Sequence, residues 1–248
     1  MSGHSKWSTI KRKKAKTDQD RGKAFSKIAK EITVVTKMGG GDPNGNPRLR
    51  LAIDKAKEAN MPNSNIERAI EKGVGGGEGA HVEELTYEGY GPASTAILVD
   101  VMTDNKNRTL GEIQFIFTKS GGNMGKAGSV SWMFKKKGVI TFEKGSVAED
   151  KLMEEAVDAG AEDILIEEGI INIETIPENF MTVRDSLKAK GYNPVSSEIT
   201  MVAENCIKVT GEEAEKVLKL ISALEEHDDV QAVHSNFDIP DELIASQQ

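Results

Sequence analysis

Apolar side chains in the first 77 residues recur at the spacing of an α-helix. Over about residues 18–38 they fall on one helical face, made up of Phe25, Ile28, Ala29, Ile32 and Val35. Four lysines gather within about 80° on the opposite face, and they are Lys23, Lys27, Lys30 and Lys37. One side of this helix is therefore predicted to pack, and the other to form a cationic stripe.

Two shorter helices are predicted next. Asn46 is placed to cap the first and Pro47 to begin it, because a side-chain acceptor and a fixed φ suit those positions. Ser64 and Glu67 have the spacing of a capping box and predict the start of the other helix. The glycine-rich run at 73–79 ends that helix and predicts a flexible linker at a domain boundary.

Beyond the linker the pattern changes to the alternation typical of strands. Strands at 82–90 and 96–102 precede a helix that starts near residue 107. Residues 138–203 predict the order strand, helix, strand, strand, helix, strand, which is the βαββαβ arrangement of ferredoxin-like domains. The strand, helix and strand predicted at 206–237 are expected to complete the sheet that begins near residue 82.

The predicted fold class is α+β, with an all-helical N-terminal domain and two ferredoxin-like α+β domains, one inserted into the other. The predicted domains are 1–77 (basic, helical), 78–134 with 204–240 (discontinuous, middle) and 135–203 (inserted, acidic). No stretch approaches the roughly 18 apolar residues of a membrane span, so no membrane partner is expected. The acidic residues among the first 31 fit a presequence poorly, which favours a cytoplasmic protein.

Charge is divided unevenly along the chain. Residues 1–77 contain 17 Lys and Arg against 8 Asp and Glu, which gives +9. Because the whole chain carries −8, the residues from Glu78 onward carry −17. Such a basic end predicts a polyanionic partner, since neutralising phosphates releases counterions, and the acidic remainder would orient that partner. A solvated, disordered basic tail is the alternative interpretation.

The candidate nucleic-acid contacts lie in this basic end. Phosphate contacts are expected from Lys6, Lys11, Arg12, Lys13, Lys14, Lys16, Arg21, Lys23, Lys27 and Lys30. Trp7 either stacks on a base or folds inward to anchor the arm. Arg48 and Arg50 lie in a first helical turn, where unpaired amides favour an anion, and charge balance within the protein explains them equally well.

Two further segments invite a nucleic-acid hypothesis. The second and third helices are close enough for a helix-turn-helix, but the latter offers only Asn65 and Arg68 as donors beside two glutamates, which disfavours base recognition. The lysines at 135–137 are candidates for a second phosphate contact, although a charged edge strand or turn explains them better. Because lysine dominates the basic end, weak discrimination among duplex sequences is expected.

No enzyme motif fits the sequence. Gly125 and Lys126 suggest a phosphate-binding loop, but Ser120 stands at its first glycine position and Ala127 follows the lysine. The linker glycines do not fit the dinucleotide fingerprint, and no GxSxG occurs. The histidines and aspartates at 227–234 match no metal-binding spacing. No catalysis, cofactor, metal or small-molecule substrate is therefore expected.

Six segments together resemble the YebC/PmpR family: MSGHSKW at 1–7, GGGDPNGNPRLR at 39–50, NMPNSNIERAI at 60–70, YEGYGP at 87–92, DNKNRT at 104–109 and GVITFEKG at 138–145. The resemblance covers the chain nearly end to end. It implies a helical domain and two α+β domains, one inserted into the other, without catalysis or cofactor. Members are described as probable DNA-binding transcriptional regulators. Related members, including the mitochondrial translational activator of cytochrome oxidase, act instead on the ribosome, with proline-rich stretches as a suggested target.

The sequence thus predicts a non-enzymatic regulator of gene expression that binds nucleic acid, either DNA or ribosomal RNA, through its basic helical domain. The acidic domains would orient it or recruit a protein partner. A ribosome-associated translation factor acting on proline-rich stretches is the first alternative. A protein-interaction module whose basic end docks an acidic protein is the second, and an unrecognised hydrolase is the third.

Overall fold

The computed structural model describes residues 18–75, 82–167, 169–240 and 243, with side chains from residue 21 onward. The helices in these residues are α1 (Asp18–Gly39), α2 (Pro47–Glu58), α3 (Asn63–Val74), α4 (Lys106–Lys119), α5 (Glu149–Ala159), α6 (Phe180–Ala189) and α7 (Gly211–Glu226). The strands are β1 (Glu83–Tyr90), β2 (Ala96–Thr103), β3 (Asn123–Met124), β4 (Phe134–Glu143), β5 (Asp163–Ile166), β6 (Ile170–Thr175), β7 (Ser196–Ala203), β8 (Ile207–Lys208), β9 (Val230–Ser235) and β10 (Phe237–Asp238). The predicted α+β class, with its helical N-terminal part, is confirmed.

The three N-terminal helices pack around one apolar cluster. Ile28 and Ile32 of α1, Leu49 of α2 and Ile66 of α3 are all buried in it. Asn46 holds the group together, because its Oδ1 accepts from the Leu49 amide at 3.1 Å and its Nδ2 donates to the carbonyls of Val35 and Gly40. The predicted cap at Asn46 and the first helical position of Pro47 are confirmed.

The predicted capping box of α3 is wrong. Pro62 is the residue at the N-cap, with φ −58° and ψ 137°, and the helix makes no side-chain cap hydrogen bond. The chain enters the helix at Asn63, so Ser64 lies inside the first turn and is exposed instead of standing before it. At the other end, Gly73 lies against α1, where an added Cβ would be 2.6 Å from the Cβ of Thr36. Close approach of α1 and α3 therefore needs glycine here.

A four-stranded sheet follows the helices, in the order β3-β1-β2-β9. β2 is central and antiparallel to both β1 and β9, and its side chains are almost entirely buried. Phe117 of α4 and Leu220 of α7 belong to the apolar cluster that Ile97 and Val99 of β2 join. The prediction that the C-terminal strand completes the sheet begun near residue 82 is confirmed by the pairing of β9 with β2.

The strand predicted at 206–209 does not join that sheet. β8 pairs in parallel with β10 in a separate two-stranded sheet. At the junction between the two sheets, the side-chain Oδ1 of Asn236 accepts the backbone N–H of Ala96 at 2.8 Å, and the Asn236 amide donates to the Ala96 carbonyl. β2 begins at Ala96, and the Asn236 carbonyl accepts from the Ile207 amide.

Residues 133–205 form one compact unit by themselves. Their element order is the predicted βαββαβ, and the antiparallel sheet has the order β5-β6-β4-β7 expected of a ferredoxin-like fold. The lysines at 135–137 lie in β4 and pair with β7, whereas the ladder of β4 with β6 begins only at Gly138. They therefore belong to a strand segment that is paired on one side, which fits the expected charged edge and not the expected turn. Lys135 pairs with Glu204, and Lys137 pairs with the buried carboxylate of Glu174 at 2.6 Å.

The second compact unit contains the described residues up to Trp132 and those from Cys206 onward. The N-terminal helices and the β3-β1-β2-β9 sheet thus belong to one unit by their contacts. The sequence places a domain boundary between them, after residue 77, and this three-domain division stays a prediction. Within the described residues, no helix is both long and apolar enough to cross a bilayer.

Candidate nucleic-acid interface

A cleft of about 2000 Å³ lies between the N-terminal helices and the β3-β1-β2-β9 sheet, within the second unit. One side of it is built by α1 and α3. The other side is built by the start of β1, the start of α4 and the residues that follow α7. The two sides carry mostly opposite charges.

The helical wall is defined by five cationic side chains, which are Lys23, Lys30, Lys37, Arg68 and Lys72. The three lysines of α1 are seven residues apart, which is close to two helical turns, so they share one face. Arg68 and Lys72 are four residues apart on α3 and also share a face. All of these except Lys30 are exposed. The packing of α1 on α3 therefore places two short cationic rows side by side.

The acidic wall is defined by six carboxylates, which are Glu83, Glu84, Asp104, Glu112, Glu226 and Asp228. Strand pairing explains part of the cluster, since Glu83 of β1 is paired with Thr103 of β2, next to Asp104. All six residues are exposed. This side of the cleft is thus mostly acidic, with Arg108 and His227 among its carboxylates, and it lies opposite the cationic rows.

Asp229 joins the two walls at the floor of the cleft. Its buried carboxylate accepts from Lys30 Nζ at 2.8 Å, from Arg108 Nη2 at 2.8 Å and from Thr109 Oγ1 at 2.7 Å. Burial alone would raise the pKa of this carboxyl, but the hydrogen bonds from Lys30, Thr109 and Arg108 outweigh it and hold the pKa far below its usual range. Asp229 is therefore ionised throughout the physiological pH range.

Two other cations of the helices also bind the sheet side of the unit. Lys27 Nζ donates to the carbonyl of Glu225 at 2.7 Å, and Arg48 Nη2 lies 2.6 Å from Glu84 Oε1. Within the cationic stripe predicted on α1, Lys27 and Lys30 are thus half-buried against the sheet side of the unit, whereas Lys23 and Lys37 are exposed. The sequence could not show this, since the partners lie almost 200 residues away.

The other residues predicted to contact nucleic acid do not all lie in the cleft. Seven of them lie outside the described residues, namely Lys6, Trp7, Lys11, Arg12, Lys13, Lys14 and Lys16. Arg21 and Lys23 are exposed on α1, and Lys23 lines the cleft. Arg50 is half-buried on α2. Of the predicted residues in the described part, Lys23 and Lys30 are those that the structure brings into the cleft.

The α2–α3 segment contributes to the cleft through α3. Asn60 takes a positive φ of 58° in the connection between these helices. Asn65 and Arg68, the two donors named for a helix-turn-helix, both line the cleft, and they do so beside Lys72. Lys37 and Lys72 are cleft residues that the predicted contact set lacks. Helical periodicity points to Lys37, but the role of Lys72 depends on how α3 packs against α1.

Among the described residues, one group of side chains is spaced closely enough to hold a metal ion, but its existing contacts do not suit one. One ligand atom from each of Glu112, His227 and Asp229 lies within 4.8 Å of the others. However, both oxygens of Asp229 already bind cationic donors, Lys30 on one and Arg108 on the other. A divalent ion would have to displace these or face their repulsion. His227 Nε2 lies 2.9 Å from Glu112 Oε2, which satisfies the ring without an ion.

Sequence reasoning missed Asp229, Arg108 and Thr109. The last two belong to the DNKNRT segment, which begins the α4 helix: Asn105 caps it by accepting from the Arg108 amide. Thr109 Oγ1 also lies 2.7 Å from Thr103 Oγ1. A polar segment at a predicted helix start could have indicated the N-cap. Nothing local indicates that its side chains bind an aspartate more than 100 residues later.

These features define an α+β protein in which basic helices face an acidic sheet edge across a cleft. Residues 82–237 match the family model for the TACO1/YebC second and third domain, and residues 5–76 match that for the TACO1/YebC protein N-terminal domain. The chain belongs to the TACO1/YebC family, and the resemblance seen in the sequence is confirmed.

Close relatives extend over the whole chain. A probable transcriptional regulatory protein of Geotalea uraniireducens is 58% identical over 242 residues, which are 98% of this chain and 98% of that protein. One of Dictyoglomus turgidum is 56% identical over 247 residues, 99% of each chain. The crystal structure of a conserved hypothetical protein from Aquifex aeolicus is similar with a TM-score of 0.84 at 48% identity, covering 92% of this chain and 95% of that one.

Proposed function

We propose that this protein is a cytoplasmic, non-enzymatic regulator of gene expression that binds nucleic acid through its basic helices and the arm before them. The names of the relatives support a regulatory role. The observation that carries the binding proposal is the helical wall, which exposes Lys23, Lys37, Arg68 and Lys72 on two tightly packed helices. This wall belongs to the end of the chain whose net charge is +9.

Fixed cations on rigid helices are suited to phosphate binding. Each phosphate that they neutralise releases condensed counterions, and the affinity then depends steeply on salt. In sequence, the arm with Lys11, Arg12, Lys13 and Lys14 directly precedes α1 and would extend the same interaction. The acidic remainder of the chain repels phosphates and so restricts binding to the helical side.

The state of the cleft's most buried acid supports a non-catalytic role. General acid or base catalysis near neutral pH needs a group whose pKa lies near that pH. Asp229 is instead held ionised by Lys30 and Arg108, so it is a poor proton donor or acceptor. Its contacts are those of a structural tie between helices and sheet.

A salt titration with matched variants tests the binding proposal. Neutralising the four exposed helical-wall cations (Lys23, Lys37, Arg68 and Lys72, each →Gln) should weaken binding of labelled RNA and DNA strands by at least about tenfold. The dependence of log K on log salt, with a slope of about −3 to −4 for four to six phosphates on a single strand, should become shallower.

The control removes four exposed lysines that lie outside the N-terminal helices: Lys126, Lys144, Lys208 and Lys219, each →Gln. It changes the net charge equally and should leave the affinity nearly unchanged. Equal loss in both variants would mean that binding follows overall charge and not the helical wall. An undiminished affinity in the helical-wall variant would refute the proposed interface.

A further inference from the structure

The helical wall meets the sheet side at the floor of the cleft, where Lys30 Nζ is 2.8 Å from Asp229 Oδ1. Arg48 of α2 does not line the cleft, but its guanidinium is 2.6 Å from Glu84 Oε1 of the acidic wall. The cationic rows are therefore flanked directly by carboxylates along the cleft. A ligand that reaches the helical wall inside the cleft must also lie beside the acidic wall.

This arrangement disfavours double-stranded nucleic acid. A helix that enters the major groove of DNA, about 12 Å wide, is flanked by the phosphates of both strands. If α1 were in that position, phosphates on one side would face Lys23 and Lys37, but those on the other would face carboxylates such as Glu83 and Glu226. Opposed like charges of this kind weaken a complex.

A single strand is complementary to the same two walls. It has one phosphate backbone, and its unpaired bases carry N–H donors on their exposed edges that carboxylates accept. Phe25 and Met38 also line the cleft, and Met38 is 66% exposed, which gives bases apolar surface between the lysines. The cleft, at about 2000 Å³, is larger than the roughly 300–1000 Å³ of small-molecule pockets and has room for a short segment of chain.

We propose that this cleft binds an unpaired segment of nucleic acid, with its phosphates along the helical wall and its base edges toward the acidic wall, and that the acidic wall excludes duplexes. The inference rests on the proposed function and deepens it by naming the ligand class. The acidic wall is then a determinant of specificity. It tolerates a single strand, which has one phosphate backbone, and repels a duplex, which has two.

The test compares a labelled mixed-sequence strand, as RNA and as DNA, with the blunt DNA duplex of the same sequence, at one salt concentration. The full chain should bind the strand at least about tenfold more tightly than the duplex. In a variant with Glu83→Gln, Glu226→Gln and Asp228→Asn, duplex binding should tighten until the ratio is below about threefold. These three exposed acids leave the ion pairs of Asp229 and Arg48 in place.

The matched control is Glu212→Gln, Glu213→Gln and Glu215→Gln. These acids lie in the first turns of α7, about 15–20 Å along the helix from Glu226, and do not line the cleft. This control should keep the preference for the strand. Equal or tighter duplex binding by the unmodified chain, or an equal change in the ratio in both variants, would overturn the inference alone. Binding of neither probe would overturn the proposed function and this inference with it.

Discussion

Lys30 Nζ donates to Asp229 Oδ1 at 2.8 Å, although the two residues are 199 positions apart. The bond connects the middle of α1 to the turn between α7 and β9. Because the same carboxylate accepts from Arg108 and Thr109 at the start of α4, one aspartate joins three separate parts of the unit. The hydrogen bonds of Asp229 at the floor of the cleft thus connect the helices to the sheet, at the boundary between the two oppositely charged sides.

Removing the charge of Asp229 should destabilise this unit. In Asp229→Asn the amide cannot compensate both Lys30 and Arg108, so we expect a loss of about 2–3 kcal/mol in the free energy of unfolding. The neighbouring Asp228 is exposed, and Asp228→Asn should change stability by less than about 0.5 kcal/mol. Urea unfolding of both variants measures the difference. Equal, small effects would show that the tie contributes little.

The same carboxylate predicts a pH dependence of stability. Its pKa is lower in the folded protein than in the unfolded chain, where an aspartate titrates near pH 3.9. The stabilisation is therefore complete above that pH and is lost progressively as the pH falls below about 4. Urea midpoints measured from about pH 6 to pH 3 should decrease less steeply in Asp229→Asn than in the unmodified protein. Parallel curves would contradict the assigned ionisation.

Glu88 should contribute to the remaining acid sensitivity. Burial raises the pKa of its carboxyl, but the backbone amides of Val130, Gly128 and Ser131 outweigh this and lower it. The carboxylate accepts from these amides at 2.7 to 3.0 Å and so fixes the loop at 128–131. Glu88→Gln places an NH₂ group against N–H donors, so it should lower the free energy of unfolding by about 2 kcal/mol. Thr86→Gln, an exposed change on the same strand, serves as the control in urea unfolding and should cost less than half of that.

Two glycines of the helices should respond to alanine in opposite directions. An added Cβ at Gly73 would lie 2.6 Å from Thr36 Cβ and 2.7 Å from the Thr33 carbonyl, so Gly73→Ala should destabilise the protein by about 1–3 kcal/mol. Among the described residues, no atom outside the adjoining helix backbone lies within 4 Å of a Cβ at Gly22 in α1, so Gly22→Ala should stabilise the protein by about 0.5–1 kcal/mol. Thermal melts of the pair measure both changes. If Gly73→Ala leaves the melting temperature unchanged or raises it, the close α1–α3 contact is wrong.

Signals from neighbouring residues in the sequence were enough to predict most helices and strands and part of the cleft. Asn46 and Pro47 mark the start of α2 because a cap and a fixed φ act within one turn. The seven-residue spacing of Lys23, Lys30 and Lys37 places them on one face without any tertiary information. These features depend only on residues that are neighbours in the chain.

The features that the sequence did not indicate depend on residues that are far apart in the chain. The partners of Lys30 and Lys27 come from the C-terminal part of the chain, and no periodicity in α1 indicates them. β8 likewise pairs with β10, about 30 residues later in the chain, and no pattern within residues 206–209 indicates this partner. Long-range polar contacts of this kind decide which predicted cations face solvent and which hold the fold together.

The most direct measurement for the central claim is the location of bound nucleic acid on the chain. Strands that carry photoreactive thio-substituted bases can be crosslinked to the full-length protein, and the crosslinked peptides identified by mass spectrometry. The account predicts crosslinks in the arm and in α1 and α3, between residues 5 and 75, which disappear when excess unlabelled strand competes. Specific crosslinks confined to residues 133–205, with none in the helices, would contradict it.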